Sequence, residues 1–251
     1  MSSRFPQTSW SVICSLGDSD QGVVREALTV LCRVYWPPLY AFARSRGATR
    51  EAAEDLTQGF FLHLLERGTL ARARAAKGRF RSFLLASFRN YLSHERERES
   101  AKKRSPRQPL IPLDIEEAEH AYQRISRLEP ADGLTPEELY EQRWAQIVVG
   151  RAWKRLENDQ RRSGKQDSFV TLQGYLLGDD ASVPYGQVAD LLGKSVSAVK
   201  VAVHRLRREF GKCLQAEVTP TLADPADSAD EIRHTLRLIE SSRAGLDGIA
   251  S

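Results

Sequence analysis

Tyr185-Gly-Gln-Val-Ala-Asp-Leu-Leu-Gly-Lys-Ser-Val-Ser-Ala-Val-Lys-Val-Ala-Val-His-Arg-Leu-Arg-Arg208 decides the fold. Its spacing meets the steric demands of a helix-turn-helix. A small residue, Ala189, stands where a second helix crosses the first. Gly193 follows four positions later, where the turn needs a positive φ. Val199 lies six residues further on and faces back onto the first helix. Leu192, Val196 and Leu206 complete a small core, and Ser195 is placed to cap the second helix. The outward face of that helix then carries Ser197, Lys200, Val201, His204, Arg205 and Arg208. Hydroxyl, imidazole and cationic groups on one face suit base edges and phosphates in a major groove. A plain helical hairpin with a solvated basic face is the alternative for this stretch taken alone.

Upstream, Thr135-Pro136-Glu137-Glu138 is a helix start, with a cap residue, proline at the first position and glutamate at the third. That helix is predicted to reach Arg162, and Phe169 to Leu177 to form another. Further back, Ser105-Pro-Arg-Gln-Pro-Leu-Ile-Pro112 breaks helix and reads as a linker. Next to it lies an acidic segment from Ile115 to about Arg127, expected to be a short, solvated helix.

A second basic stretch precedes the linker. Within Lys77-Gly-Arg-Phe-Arg-Ser-Phe-Leu-Leu-Ala-Ser-Phe-Arg-Asn-Tyr-Leu92 a long helix starts at about Arg79 and runs to about Lys103, with its apolar stripe on Phe80, Phe83, Leu84, Phe88, Tyr91 and Leu92. Arginines interleaved with aromatics suit single-stranded or melted nucleic acid. The spacing of Phe80, Phe83 and Phe88 assigns those three rings to the core. Earlier still, residues 22–46 are helical in pattern, and Trp36-Pro37-Pro38 is expected to kink or split that helix. Gly47 ends it, and Thr49 caps the next helix, which runs to about Arg67.

Charge follows the same geography. The formal net charge of the 251 residues is only +4, yet Leu70 to Arg107 holds twelve Lys or Arg against three Glu, and Lys194 to Lys212 six against one. Two basic islands in an otherwise acidic chain fit two separate phosphate-facing surfaces. No window is apolar enough to span a membrane, so no membrane insertion is expected, and the N-terminus lacks a signal-peptide core. The location is read as cytoplasmic. Cys14, Cys32 and Cys213 are far apart and have no zinc-knuckle spacing, so they read as ordinary buried thiols. No metal, cofactor or catalytic group is expected.

The fold class is therefore all-α: two helical domains joined by a Pro-rich linker, the second containing the helix-turn-helix. The boundaries read as an N-terminal extension 1–21, a first domain 22–104, a linker 105–134, a second domain 135–216 and a C-terminal extension 217–251. In the extension only Glu231 to Ile239 is amphipathic. It either packs on the second domain, binds a regulator or stays unstructured.

Taken in order, these stretches resemble the extracytoplasmic-function group of bacterial RNA polymerase sigma factors. Glu54-Asp55-Leu56-Thr57-Gln58-Gly59-Phe60-Phe61 resembles the acidic helix with which that family docks on core RNA polymerase. Phe80-Arg-Ser-Phe-Leu-Leu-Ala-Ser-Phe-Arg89-Asn90 resembles the helix that melts and reads the downstream (−10) promoter element. The helix-turn-helix resembles the reader of the upstream (−35) element, and Trp36-Pro-Pro-Leu-Tyr40 resembles a subgroup of these proteins. The likeness covers residues 22 to about 215. It departs at Gly59, where the family usually has Glu, at Phe83, where Trp is usual, and in the long connection and tail.

The resemblance implies core RNA polymerase as partner, bound through Asp55, Leu56, Gln58 and Phe61. It implies contacts to melted promoter DNA from Lys77, Arg79, Arg81, Arg89 and Asn90. Double-stranded promoter DNA would meet Ser195, Ser197, Lys200, Val201, His204, Arg205 and Arg208. It further implies control by an anti-sigma factor or another regulator, and a chain that is not itself an enzyme. Two other readings remain at this point. One is a helix-turn-helix regulator that never meets polymerase. The other is a metal-dependent nuclease using Asp114, Glu116, Glu117, Glu119 and His120.

Overall fold

The computed structural model describes residues 21–66, 79–99, 119–120, 122–123, 134–177, 183–222 and 224–241. The protein is all-α. Its helices are α1 (Gln21–Ser45), α2 (Arg50–Glu66), α3 (Phe80–Glu99), α4 (Pro136–Arg162), α5 (Gln166–Leu172), α6 (Tyr185–Leu192), α7 (Val196–Val218) and α8 (Ser228–Ser241). Among the described residues the sole β-type pairing is an isolated antiparallel bridge between Arg79 and Leu222.

Helix ends follow local chemistry. Gly47 takes φ +88° at the end of α1, and the Thr49 hydroxyl accepts the Ala52 amide at the start of α2. At α4 the capping box is complete: Thr135 accepts the Glu138 amide, and the Glu138 carboxylate accepts the Thr135 amide at 2.7 Å. Helix α1 departs from expectation, because it runs unbroken with Pro37 and Pro38 inside it. Each proline deletes one i to i−4 hydrogen bond. The surrounding burial compensates: Trp36 stacks on Tyr40 at 5.0 Å, and both are fully enclosed. The segment after α4 also differs. Helix α5 ends at Leu172, and a tighter 3-10 turn follows over Gln173–Tyr175, as expected beside the weak helix former Gly174.

Packing starts from α4, which contacts α1, α5, α7 and α8. The aromatic stripe of α3 lies where its spacing placed it, with Phe80 and Phe88 buried and Phe83 half-buried. Phe88 meets Phe42 of α1 and, at 4.9 Å, Phe60 of α2. On the far side Trp153 of α4 sits edge-on to both Phe169 and Phe210. One buried cluster runs from Cys32 to Ile239, so helices from both sides of the linker share a core.

The linker contributes too. Residues 119–120 and 122–123 are helical, and Glu119 is buried rather than solvated. Arg44 of α1 donates to both Glu119 oxygens, at 3.0 and 3.1 Å, and the Tyr40 hydroxyl and the Gln123 amide add further hydrogen bonds. Burial disfavours the charged carboxyl, but the hydrogen bonds from Arg44, Tyr40 and Gln123 outweigh it and hold Glu119 at about 2.

Candidate nucleic-acid interface

Helices α6 and α7 follow the sequence spacing except at Val196, which was expected in the core and stands 41% exposed in the first turn of α7. Gly193 takes φ +60° and closes α6, with its own amide reaching back to Ala189 and Asp190 carbonyls. A Cβ there would meet no atom, so glycine is needed for the backbone conformation and not for space. Ser195 caps α7 through the Ala198 amide. Val188 and Ala189 of α6 and Val199, Val203 and Leu206 of α7 are buried between the two helices and the body. Tyr175 stacks on Tyr185 at 4.5 Å, and Arg207 donates to the Tyr175 carbonyl at 2.8 Å. These contacts lock the inner side of the hairpin.

The outer side is free to meet a ligand. Ser195, Ser197, Lys200, Val201, His204, Arg205 and Arg208 are all exposed. Val201 stands 57% exposed between cationic neighbours, an apolar group of the size that contacts a thymine methyl. Lys200 lies over the Tyr185 ring at 5.7 Å, which steadies the start of the face. The structure thus brings the predicted recognition residues together along one side of α7, from its cap Ser195 into its fourth turn at Arg208.

The expected polymerase-docking residues are divided. On α2, Asp55 is exposed, and Leu56 and Gln58 are half-buried, with Gln58 donating to Glu54. Phe61 is not available as a docking group: it is buried against Phe60 in the core. Gly59 is buried as well, so the position where the family usually has Glu offers no exposed surface.

The strand-reading residues are divided more sharply. Arg89 and Asn90 are exposed, and Arg89 pairs loosely with Glu137 at 3.3 Å. Lys77 lies outside the described residues. Arg79 is partly exposed and pairs with Glu231 of α8 at 2.7 Å. Arg81 was expected to follow a DNA backbone, yet it is 1% exposed. Its guanidinium pairs with Glu141 of α4 at 2.5 Å and with Glu231, and it lies over the Trp144 ring at 4.3 Å. The Tyr140 hydroxyl also donates to the Arg81 carbonyl. Glu141, Trp144 and Glu231 escaped the sequence reading because nothing in a helix's own pattern names its charge partner.

Two residues of the nuclease constellation are described. Glu119 is committed to Arg44 and Tyr40, His120 is exposed, and Asp114, Glu116 and Glu117 lie outside the described residues. Among the described residues no three His, Cys, Asp or Glu side chains converge as a metal site. Cys32 and Cys213 are free and buried, and burial pushes the Cys32 thiol up to about 12, so it stays a thiol. Among the described residues no helix is long and apolar enough to cross a membrane. No family model, curated protein or solved structure matches this chain.

Proposed function

We propose that the chain is a promoter-recognition subunit of RNA polymerase, of the sigma-factor type, and that it acts by binding and not by catalysis. The observation that carries the reading is the exposed basic face of α7, presented after a left-handed glycine turn and capped by Ser195. The exposed acidic residue Asp55 on α2 and the ordered resemblance to sigma factors support the polymerase-binding half.

In this reading α7 enters the major groove of an upstream element. Lys200, Arg205 and Arg208 contact phosphates or guanine edges, Ser197 and His204 hydrogen-bond to bases, and Val201 contacts a methyl group. The downstream element is opened and held by the α3 face. Binding to the separated strand offsets unstacking, which costs a few kcal/mol per base. Polymerase supplies all the chemistry.

Lys200→Ala and Arg205→Ala test the assignment of α7. Each is expected to weaken binding to duplex promoter DNA by about ten- to a hundredfold, equivalent to roughly 1–3 kcal/mol for a lost base contact, while polymerase binding is retained. Equal loss of both activities contradicts separate roles. A second reading, a helix-turn-helix regulator that works without polymerase, is favoured by one observation: Phe61 and Arg81, assigned to polymerase and the melted strand, are both buried.

A further inference from the structure

Helix α8 buries a larger share of polar positions than α4 does. Its fully buried positions are Ser228, Glu231, Thr235 and Ile239, three of them polar. Its larger apolar residues, Ile232, Leu236 and Leu238, are only partly covered. By contrast α4 buries Trp144, Val148, Val149, Trp153 and Leu156. Polar groups therefore carry a larger share of the hold in α8 than in α4, beside Ile239 in the core and Ile232, Leu236 and Leu238 packed against it.

Helix α8 packs on α4 and α7, and its buried carboxylate meets Arg79 and Arg81. Glu231, itself 1% exposed, pairs with both. Glu141 adds a second carboxylate to Arg81, and the backbone bridge from Leu222 to Arg79 fastens the same corner. Two arginines thus face two glutamates, with His234 of α8 3.7 Å from Glu141. Arg79 and Arg81 are also the residues that the proposed function assigns to the backbone of an opened DNA strand. A carboxylate bound to a guanidinium presents two oxygens in nearly the geometry of a phosphate. The segment 219–227 tethers α8 to α7, so Glu231 stays at high local concentration near its arginines.

We propose that α8 is a displaceable strap: Glu231 occupies the place of a DNA phosphate on Arg79 and Arg81 and keeps that corner of the strand-reading face covered, with Arg89 and Asn90 left exposed, until nucleic acid or polymerase displaces it. This inference rests on the strand-reading role proposed for α3. It does not depend on the duplex-reading role of α7, whose outer face the strap leaves exposed. The device lowers the affinity for melted DNA by default while duplex recognition stays open.

The test uses the full chain with Glu231→Gln, and with Ile239→Ala as a variant that loosens the strap without touching the ion pairs. Hydrogen exchange over residues 228–241 reports release. Fluorescence anisotropy reports affinity for a mixed-sequence single-stranded DNA and, separately, for duplex DNA. Faster exchange with about a tenfold or greater gain for the single strand, unchanged duplex binding, and loss of the gain on adding Arg79→Ala supports the strap. Wild-type binding to the single strand as tight as either variant overturns the strap but leaves the α3 reading standing. Released exchange with no single-strand binding in any variant overturns the strap together with the α3 reading, and intact duplex binding then keeps the α7 assignment. Exchange no faster in either variant shows that α8 is a fixed part of the core, and overturns the proposal.

Discussion

Two buried charged residues define how this molecule is put together. Glu119 and Arg81 both come from stretches that a sequence reading assigns to solvent or to DNA, and both are buried and ion-paired inside. Removing a carboxylate from a buried, charge-assisted set of hydrogen bonds leaves its donors unpaired. Glu119→Gln is therefore expected to lower stability at neutral pH by about 1.5–3 kcal/mol. The pH dependence has a definite sign. The folded carboxyl is held at about 2, below its ordinary 4.5, so its contribution is complete above about 4.5 and is lost as pH falls toward 2. Denaturant unfolding of the two chains should therefore differ most at neutral pH and converge in acid. A gap that persists unchanged at the acid end contradicts the role given to Glu119. At this scale the sequence was legible wherever a residue answers to its own backbone. Gly193, Ser195, Thr49 and Thr135 all do what their types demand. It was not legible at Arg81, whose fate is set by Glu231, far away in the chain.

Among the elements, the α6–α7 pair was readable apart from Val196, because its constraints are local and steric. The small residue, the left-handed turn and the apolar contact stand at fixed offsets within one stretch. Gly193→Ala would place a Cβ in the left-handed region, at a penalty of roughly 1–2 kcal/mol. Thermal unfolding should report that loss, and no loss would mean the turn relaxes to another conformation. Helix α1 shows the opposite case. Its prolines argue locally for a break, and tertiary burial of Trp36 and Tyr40 overrides them. In α8 the amphipathic window was visible from Glu231 to Ile239, but its docking was not. A polar buried face looks like a solvated face until its partner is known.

For the whole molecule, the order of helices and the two basic islands were legible from composition and periodicity. The division at the Pro-rich linker marks the chain, whereas in space α1 and α4 lie against each other and one core crosses the boundary. Which faces meet across a linker depends on side-chain complementarity between distant helices, and periodicity carries no information about it. That closure leaves the α7 face open and the Arg81 corner shut, which is why recognition of duplex and of melted DNA are expected to respond to different substitutions. The claim that joins all of this is association with RNA polymerase. It is tested most directly by sizing-column chromatography of the purified chain with bacterial core RNA polymerase at moderate salt. Co-elution that is abolished by Asp55→Arg is the predicted result. Absence of co-elution, with duplex DNA binding intact, would contradict the sigma-type account and leave a regulator that acts without polymerase.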